Sequence, residues 1–558
     1  MNGVFRSDIT RDTFDRLNHF SRVLKQQGRV DLDSEWNEQV DILLYYLRTL
    51  TRDLVGPRAA VGLYPHIGGF LVTATADKPG QTAQPVQTTG QTKGRRSAKD
   101  KTTTNPDFYI WPGHYYIDGL LVENEGCESD TCKIDGTEPC PCPYVLSSDQ
   151  KSGSSQKAFV VYLDAWERQV TYIEDEEIRE VALGVLGPDT TTRAKVVWKV
   201  EVAFTTPGGK PLPTLANNDD VIEFDKNWKR DWIDVLQPPK PFRGMLKAGT
   251  GEDAMKDTTP CIIPPDSKYR GAENQLYRVE IHNSGPGHPG GANQATFKWS
   301  RENGSVIFPI VGKVEGKIVK LEHLGRDKRF GLKKDDWVEI IDDAAFPQFN
   351  PPQDDPAPLF QIDIVDYVHS QVTLKTEPGN IGQDSMNYPI LRRWEHAQGD
   401  PSKEDDLTPG GGVTPIVEGN WYTLEDGIQI QFQPGVQTVS QSQSSLKGQS
   451  QKTKDEIAQT DLPQEILYRS GDYWLIPART ATGDVEWPRD KNGPIAVEPH
   501  GVEHHYAPLA YVTLNNDWTI DKIADLRRKF IQLWTDPEGF PPSRAEAEPQ
   551  PEPVASTS

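Results

Sequence analysis

The sequence predicts a mainly β fold: several small antiparallel β modules, with a long helix at the N-terminus and a short helix near the C-terminus. Three observations carry this. Between residues 59 and 514, short β-branched and aromatic runs alternate with Gly and Pro, the punctuation of all-β modules. No regular amphipathic helix separates one run from the next, which argues against a parallel α/β sheet. The first 57 residues read differently, as a capped helix with its approach.

The N-terminal helix comes first. Asp33 or Ser34 supplies an N-cap and Gly56-Pro57 a stop. Between them Trp36, Val40, Leu43, Leu47, Leu50 and Leu54 step by four and three in alternation, the seam of a heptad repeat about three heptads long. Ile42, Leu44, Tyr45 and Tyr46 widen the apolar surface beside it. Two readings stay open. The coiled-coil-like seam is a protein–protein interface, or it packs on the first β module of its own chain.

The strand runs are 108–122, 159–173, 196–204, 276–282, 337–341, 428–432 and 511–514. They divide the chain into a helical docking segment 1–57, then a first β module 58–150 with a polar insert 74–107 and a Cys loop 127–142. A second module 155–265 and a third 266–396 follow. A C-terminal module 413–535 carries the insert 436–462 and a terminal helix, expected because Ile523, Leu526, Phe530 and Leu533 step by three, four and three. The tail 536–558, rich in Pro and Glu, has the composition of a disordered segment. A further polar stretch, 397–412, reads as loop, and no fixed-period repeat points to a β-helix or propeller.

Composition limits the partners. A length of 558 residues exceeds what one core organises, so several domains are expected. A formal net charge of -22 repels phosphate backbones and anionic lipid surfaces, so neither nucleic acid nor a membrane surface is an expected partner. No apolar run is long enough to insert in a bilayer, and the polar N-terminus lacks the pattern of a secretory signal. Synthesis in the cytoplasm is therefore the expectation.

Motifs of chemistry are sparse, and no cofactor is expected. Cys127, Cys132, Cys140 and Cys142 share one loop whose spacing is not a pair of C-x-x-C knuckles; a structural zinc, a pair of disulfides and unlinked thiols all stay open. His504 and His505 point to opposite faces if that segment is a strand, which prevents joint chelation. His282 and His288 flank a Gly-Pro-Gly loop without a telling carboxylate or Cys partner. The stretch 285–290 matches G-x-G-x-x-G, but two prolines sit inside it and a strand pattern follows, where a dinucleotide site needs a helix. No nucleophile elbow or P-loop occurs. No catalytic residue is assigned. Trp111, Tyr115, Tyr116, Trp166, Trp198, Trp299, Trp394, Trp474 and Trp487 are read as core, as subunit contacts, or as sugar-stacking platforms.

Several blocks resemble a known family: Arg11-Asp12-Thr13-Phe14-Asp15, His19 to Leu24, Gln26 to Val30 and Glu35 to Gln39 at the N-terminus, then Gly113 to Gly119, Tyr162 to Arg168, Phe297 to Gly304, Gly471 to Arg479 and His504 to Ala510. They are similar to a bacterial family of unknown function encoded among phage-tail-like genes, including those of contractile injection systems. The resemblance implies a structural or accessory part of a tail-like particle, at or attached to the baseplate, with other baseplate or tail subunits as partners and no catalytic residues to carry over. It implies incorporation into the particle after synthesis. The rival reading is a carbohydrate-binding or carbohydrate-cleaving surface protein built on the Trp-rich modules.

Overall fold

The computed structural model describes residues 5–61, 69–76, 107–126, 141–147, 157–183, 190–240, 243–251, 268–288, 294–325, 331–341, 356–379, 387–395, 412–435 and 468–530. The chain is mainly β, in several small, mostly antiparallel sheets with one short parallel pairing between Arg58–Val61 and Lys529–Phe530. The Cys loop apart from Cys142 and its flanks, most of the polar inserts and the C-terminal tail lie outside the described residues. Two compact units emerge, each assembled from three separate stretches: 1–46, 164–199 and 226–505 in the first, 47–163, 200–225 and 506–558 in the second.

An α-helix, α1, runs Asp33–Val55 and stops where Gly56, at φ +91°, takes the left-handed conformation a C-terminal stop requires. A second helix, α2, covers Asn218–Trp228 and continues through a π-helical turn, Lys229–Ile233, to Leu236. This corrects the expectation that no helix interrupts the strand runs. Its signal is local: the Asn217 side chain accepts from the amides of Asp219 and Asp220 at 2.8 and 3.0 Å, an N-cap in front of two acidic residues. Four residues apart, Trp228 and Trp232 stack at 4.5 Å and are fully buried.

The expected C-terminal helix is also corrected. Ile520–Asp525 and Lys529–Phe530 are strands, the first paired antiparallel with His505–Leu514. Residues Ile523, Leu526 and Phe530 keep helical spacing, but the open edge of a long apolar strand offers six residues a ladder that an isolated short helix cannot match.

In the first unit a five-stranded sheet has the order Thr414–Pro415, β2 (Thr296–Ser300), β1 (Gln275–Ile281), β5 (Tyr473–Arg479), Asp484–Val485. A six-stranded sheet has the order Ile307–Pro309, β4 (Ile390–Trp394), β3 (Trp337–Ile341), Leu359–Asp366, Gln371–Leu374, Ile318–Lys320. Each sheet has its own apolar core. Tyr277, Val279, Ile281, Phe297 and Trp299 point into one, joined by Ile428, Ile430 and Phe432 of a small third sheet. Val338, Ile340 and Leu391 point into the other. Because side chains alternate along a strand, the opposite faces of β1, β2, β3 and β4 carry the intervening residues, among them Arg278, Glu280, Lys298, Glu339 and Arg392.

The second unit contains the sheet Lys529–Phe530, Arg58–Val61, Gly113–Ile117, Leu120–Asn124, whose first pair is parallel. Arg58 and Arg528 both reach the Asp225 carboxylate, which they hold below its usual range against the effect of burial. The hairpin 113–124 turns on Asp118-Gly119, both at positive φ, with Ile117 opposite Leu120, the two-residue loop that matches strand twist. At Gly119 a Cβ would also lie 2.3 Å from the Arg48 carbonyl oxygen of α1. Gly119→Ala is therefore expected to cost about 2–3 kcal/mol, from backbone strain and a clash with main chain that cannot retreat. Thermal unfolding of the variant reads this directly; an unchanged midpoint would refute it.

Candidate functional site

The predicted seam is on the surface. Trp36, Val40, Leu43, Leu47, Leu50 and Leu54 are 62, 39, 58, 60, 56 and 67% exposed. The helix turns inward through Ile42 and Ser34, its only buried residues. Another face of α1 meets the first β module, where Gly119 lies against the Arg48 backbone, while the seam itself stays exposed among the described residues. Tyr45 and Tyr46, in edge contact at 5.9 Å, extend the exposed surface sideways.

The segment leading into α1 adds to it. Leu17, Phe20, Leu24, Val30 and Leu32 are all exposed, in an arm that runs back along the helix with few backbone hydrogen bonds. Side chains hold it there. Asp33 accepts from the amide and hydroxyl of Thr10 at 2.8 and 2.7 Å, Thr13 donates to Glu38 at 2.7 Å, and the Val23 amide donates to Gln39 at 2.8 Å. The carboxyl of Asp33 falls below its ordinary range; burial opposes the shift and these donated hydrogen bonds outweigh it.

At its start the arm is anchored in a layer of charge between the two sheets of the first unit. From β1 come Arg278 and Glu280, from β2 Lys298, from β3 Glu339, from β4 Arg392 and Trp394, and from the arm Arg6. Arg6 donates to both Glu280 oxygens, at 2.9 and 3.0 Å, and Arg278 donates to Glu280 at 2.6 Å. Lys298 bridges the sheets, 2.9 Å from Glu339 and 3.7 Å from Glu280, with its ammonium 4.2 Å from the Trp394 ring centre. The Trp394 indole donates to the other Glu339 oxygen at 3.0 Å, and Arg392 stands 3.8 Å from it. The Arg278 guanidinium carbon stands over the Tyr473 ring of β5, 3.5 Å from its centre.

Burial sets the electrostatics. It would raise both carboxylates, but the surrounding cations pull Glu280 far below its usual value and Glu339 down to about 2. Burial and then the charge of Arg6 bring Arg392 down to about 9, still cationic at neutral pH. Beside this layer burial and Glu395 push Glu302 up to about 8, against the pull of Arg393 and Arg301. The turn after β2 ties the layer to the arm: Asn303 donates to the carbonyls of Phe5 and Ser7 and accepts from Arg278 at 3.2 Å. Sequence reading missed this network.

Other candidates resolve singly. Cys142 is disulfide-bonded, which removes it as a zinc ligand and as a free thiol; Cys127, Cys132 and Cys140 lie outside the described residues. His504 is a buried structural residue, its Nδ1 2.7 Å from Asp164 and its ring 5.0 Å from Trp166. Burial, then Lys298, takes His282 down to about 3. Among the described residues no group of His, Cys, Asp and Glu could hold a metal. Among the described residues of this stretch, 285–288, no helix forms, and strand β2 follows from Thr296. Tyr115, Trp166, Trp299, Trp394 and Trp474 are core, with no face open to a sugar, whereas Trp111, Tyr116, Trp198 and Trp487 are half-buried. A cleft of about 290 Å³ between the arm and β1 is lined by Asp8, Thr10, Asp33, Glu302 and Arg479 among others, and holds no imidazole, thiol or amine.

A family model describes this whole arrangement. It matches residues 5–205, 244–442 and 444–518, most of the chain. The chain belongs to DUF6519, a family of unknown function. The DUF6519 match takes in the arm, α1 and all four charged strands. No curated protein and no solved structure matches the chain. No helix among the described residues is long and apolar enough to cross a membrane.

Proposed function

We propose that this chain is a non-catalytic structural and assembly component of a contractile, phage-tail-like injection particle, at or attached to its baseplate, and that the α1 ridge is the surface through which it joins other subunits. One observation carries the docking role: the six seam side chains of α1 are uncovered, while the helix holds to its own chain through Ile42 and Ser34. An apolar surface of this extent on a chain otherwise so polar marks an interaction site. Covering the six side chains would contribute on the order of 10 kcal/mol before entropic costs. The tail-like setting is supported by the resemblance of the N-terminal blocks, which form the arm and the first half of α1.

The charged layer gives this surface a rigid base. Arg6, Glu280 and Asn303 fix where the arm leaves the sheets, and the arm in turn is held along α1 by Thr10, Thr13 and Gln39. A docking helix so braced loses little further freedom on binding. Sheathed particles purified from cells should contain the chain by mass spectrometry, and a Leu47→Glu, Leu50→Glu variant should be depleted from them at least tenfold while staying folded by circular dichroism. Particles lacking the wild-type chain, or taking up the variant equally, would overturn the reading.

A further inference from the structure

We infer that the occupant of the α1 ridge is a second copy of the same chain, paired antiparallel about a two-fold axis near Tyr45. The inference rests on the reading of this ridge as a docking surface and names its partner.

The first argument is the symmetry of the ridge. Trp36 and Leu54, Val40 and Leu50, and Leu43 and Leu47 lie nine, five and two residues on either side of Tyr45. A helix with this pattern, turned end for end, presents the same stripe. Each layer of an antiparallel pair then joins one residue of each kind: Trp36 to Leu54, Val40 to Leu50, Leu43 to Leu47. This is the self-complementary condition of an isologous contact, and the four-three spacing supplies knobs and holes on both sides.

The second argument is charge. Positions beside the seam are Asn37, Gln39, Leu44, Tyr46, Thr51 and Asp53, so a chain of net charge -22 brings almost no like charge to the contact. They also carry none of the charge pattern that selects a different partner helix. On the rest of α1 the first half holds Asp33, Glu35, Glu38 and Asp41 without a base, and the second half holds Arg48 and Arg52 with Asp53. Most of these charges lie on the sides of α1 away from the seam, so the direction of pairing rests on the helix dipoles, which oppose one another favourably in an antiparallel pair.

The third argument is size. The seam with Tyr46 exposes on the order of 700 Å², near what each partner contributes to a standard interface.

Sedimentation equilibrium of the purified full chain at about 10 µM, well above a ~1 µM dissociation constant, should give twice the chain mass. Leu43→Glu with Leu47→Glu should halve it with unchanged circular dichroism, since both positions are exposed. Orientation is read by cross-linking. Val40→Cys and Leu50→Cys chains, mixed and oxidised, should yield one mixed disulfide between these positions by peptide mass spectrometry. Neither chain should link to itself there, because identical positions lie about 15 Å apart along an antiparallel pair, beyond disulfide reach. A monomeric wild type, an oligomer indifferent to the two glutamates, or a Val40→Cys chain linked to itself would each overturn the inference. A monomer that still enters sheathed particles would overturn the pairing and leave the assembly reading intact. A pair absent from such particles would overturn the assembly reading and support the pairing.

Discussion

Arg6→Ala is expected to destabilise the first unit by about 3–5 kcal/mol and to free the N-terminal arm. The magnitude follows from what it leaves behind. Glu280 is buried and accepts from Arg6 through both oxygens; removing one partner of a buried ion pair strands the other in a medium that solvates it poorly. Arg278 and Lys298 remain near Glu280 at 2.6 and 3.7 Å, which keeps the loss toward the lower end of that range. Arg6→Lys separates charge from geometry: it keeps the cation but replaces the Nη2 that donates to both Glu280 oxygens with an ammonium on a shorter stem, so an intermediate loss is expected. Urea unfolding measures the stability, and limited proteolysis between residues 10 and 32 measures the release of the arm. Wild-type stability and cleavage in Arg6→Ala would mean that the arm is anchored elsewhere.

This charged layer is where sequence reading stops, and the reason is geometric. In β1 the residues Tyr277, Val279 and Ile281 alternate with Arg278 and Glu280, the pattern of a strand with one face in a core and one in solvent. Only the face of β3 and β4, more than 40 residues further along the chain, and Arg6, 274 residues from Glu280, turn the polar face inward. Nothing in a local window carries that. Strand runs were legible because alternation is local, and so was the seam, because spacings of four and three place side chains on one face whatever surrounds them. The C-terminal strand was not, because Ile523, Leu526 and Phe530 satisfy a helical period as well as a strand that needs a partner six to fifteen residues earlier. Interleaving of the two units has the same origin: which stretches share a core is decided by pairing between distant strands, such as Arg58–Val61 with Lys529–Phe530.

Glu339→Gln is expected to cost about 3 kcal/mol at neutral pH, and the cost should shrink as the pH is lowered. The amide keeps the shape and one acceptor oxygen, so the Trp394 indole or the Lys298 ammonium keeps a partner, but not both a charged one. Lys298 and Arg392 then share Glu280 as their remaining buried counter-ion in this layer. Because the folded state holds Glu339 down to about 2 from the ordinary 4.5, the unfolded chain binds more protons between those values. The stabilisation from its charge is thus complete above about pH 5 and is lost as the pH falls through 2, below which the native glutamate is as neutral as the glutamine. Glu280, depressed by the same cations, acts with the same sign. Glu302 acts with the opposite sign: pushed up to about 8, it holds a proton in the fold that the unfolded chain has released, and its contribution fades as the pH rises from about 4.5 through 8. The wild type should therefore lose stability on both sides of a weakly acidic maximum, and Glu339→Gln should flatten only the acid side. Urea midpoints of both proteins at pH 7, 5 and 3 decide it, and a gap between them that stays constant across that range would show that Glu339 is not held as an ion in the layer.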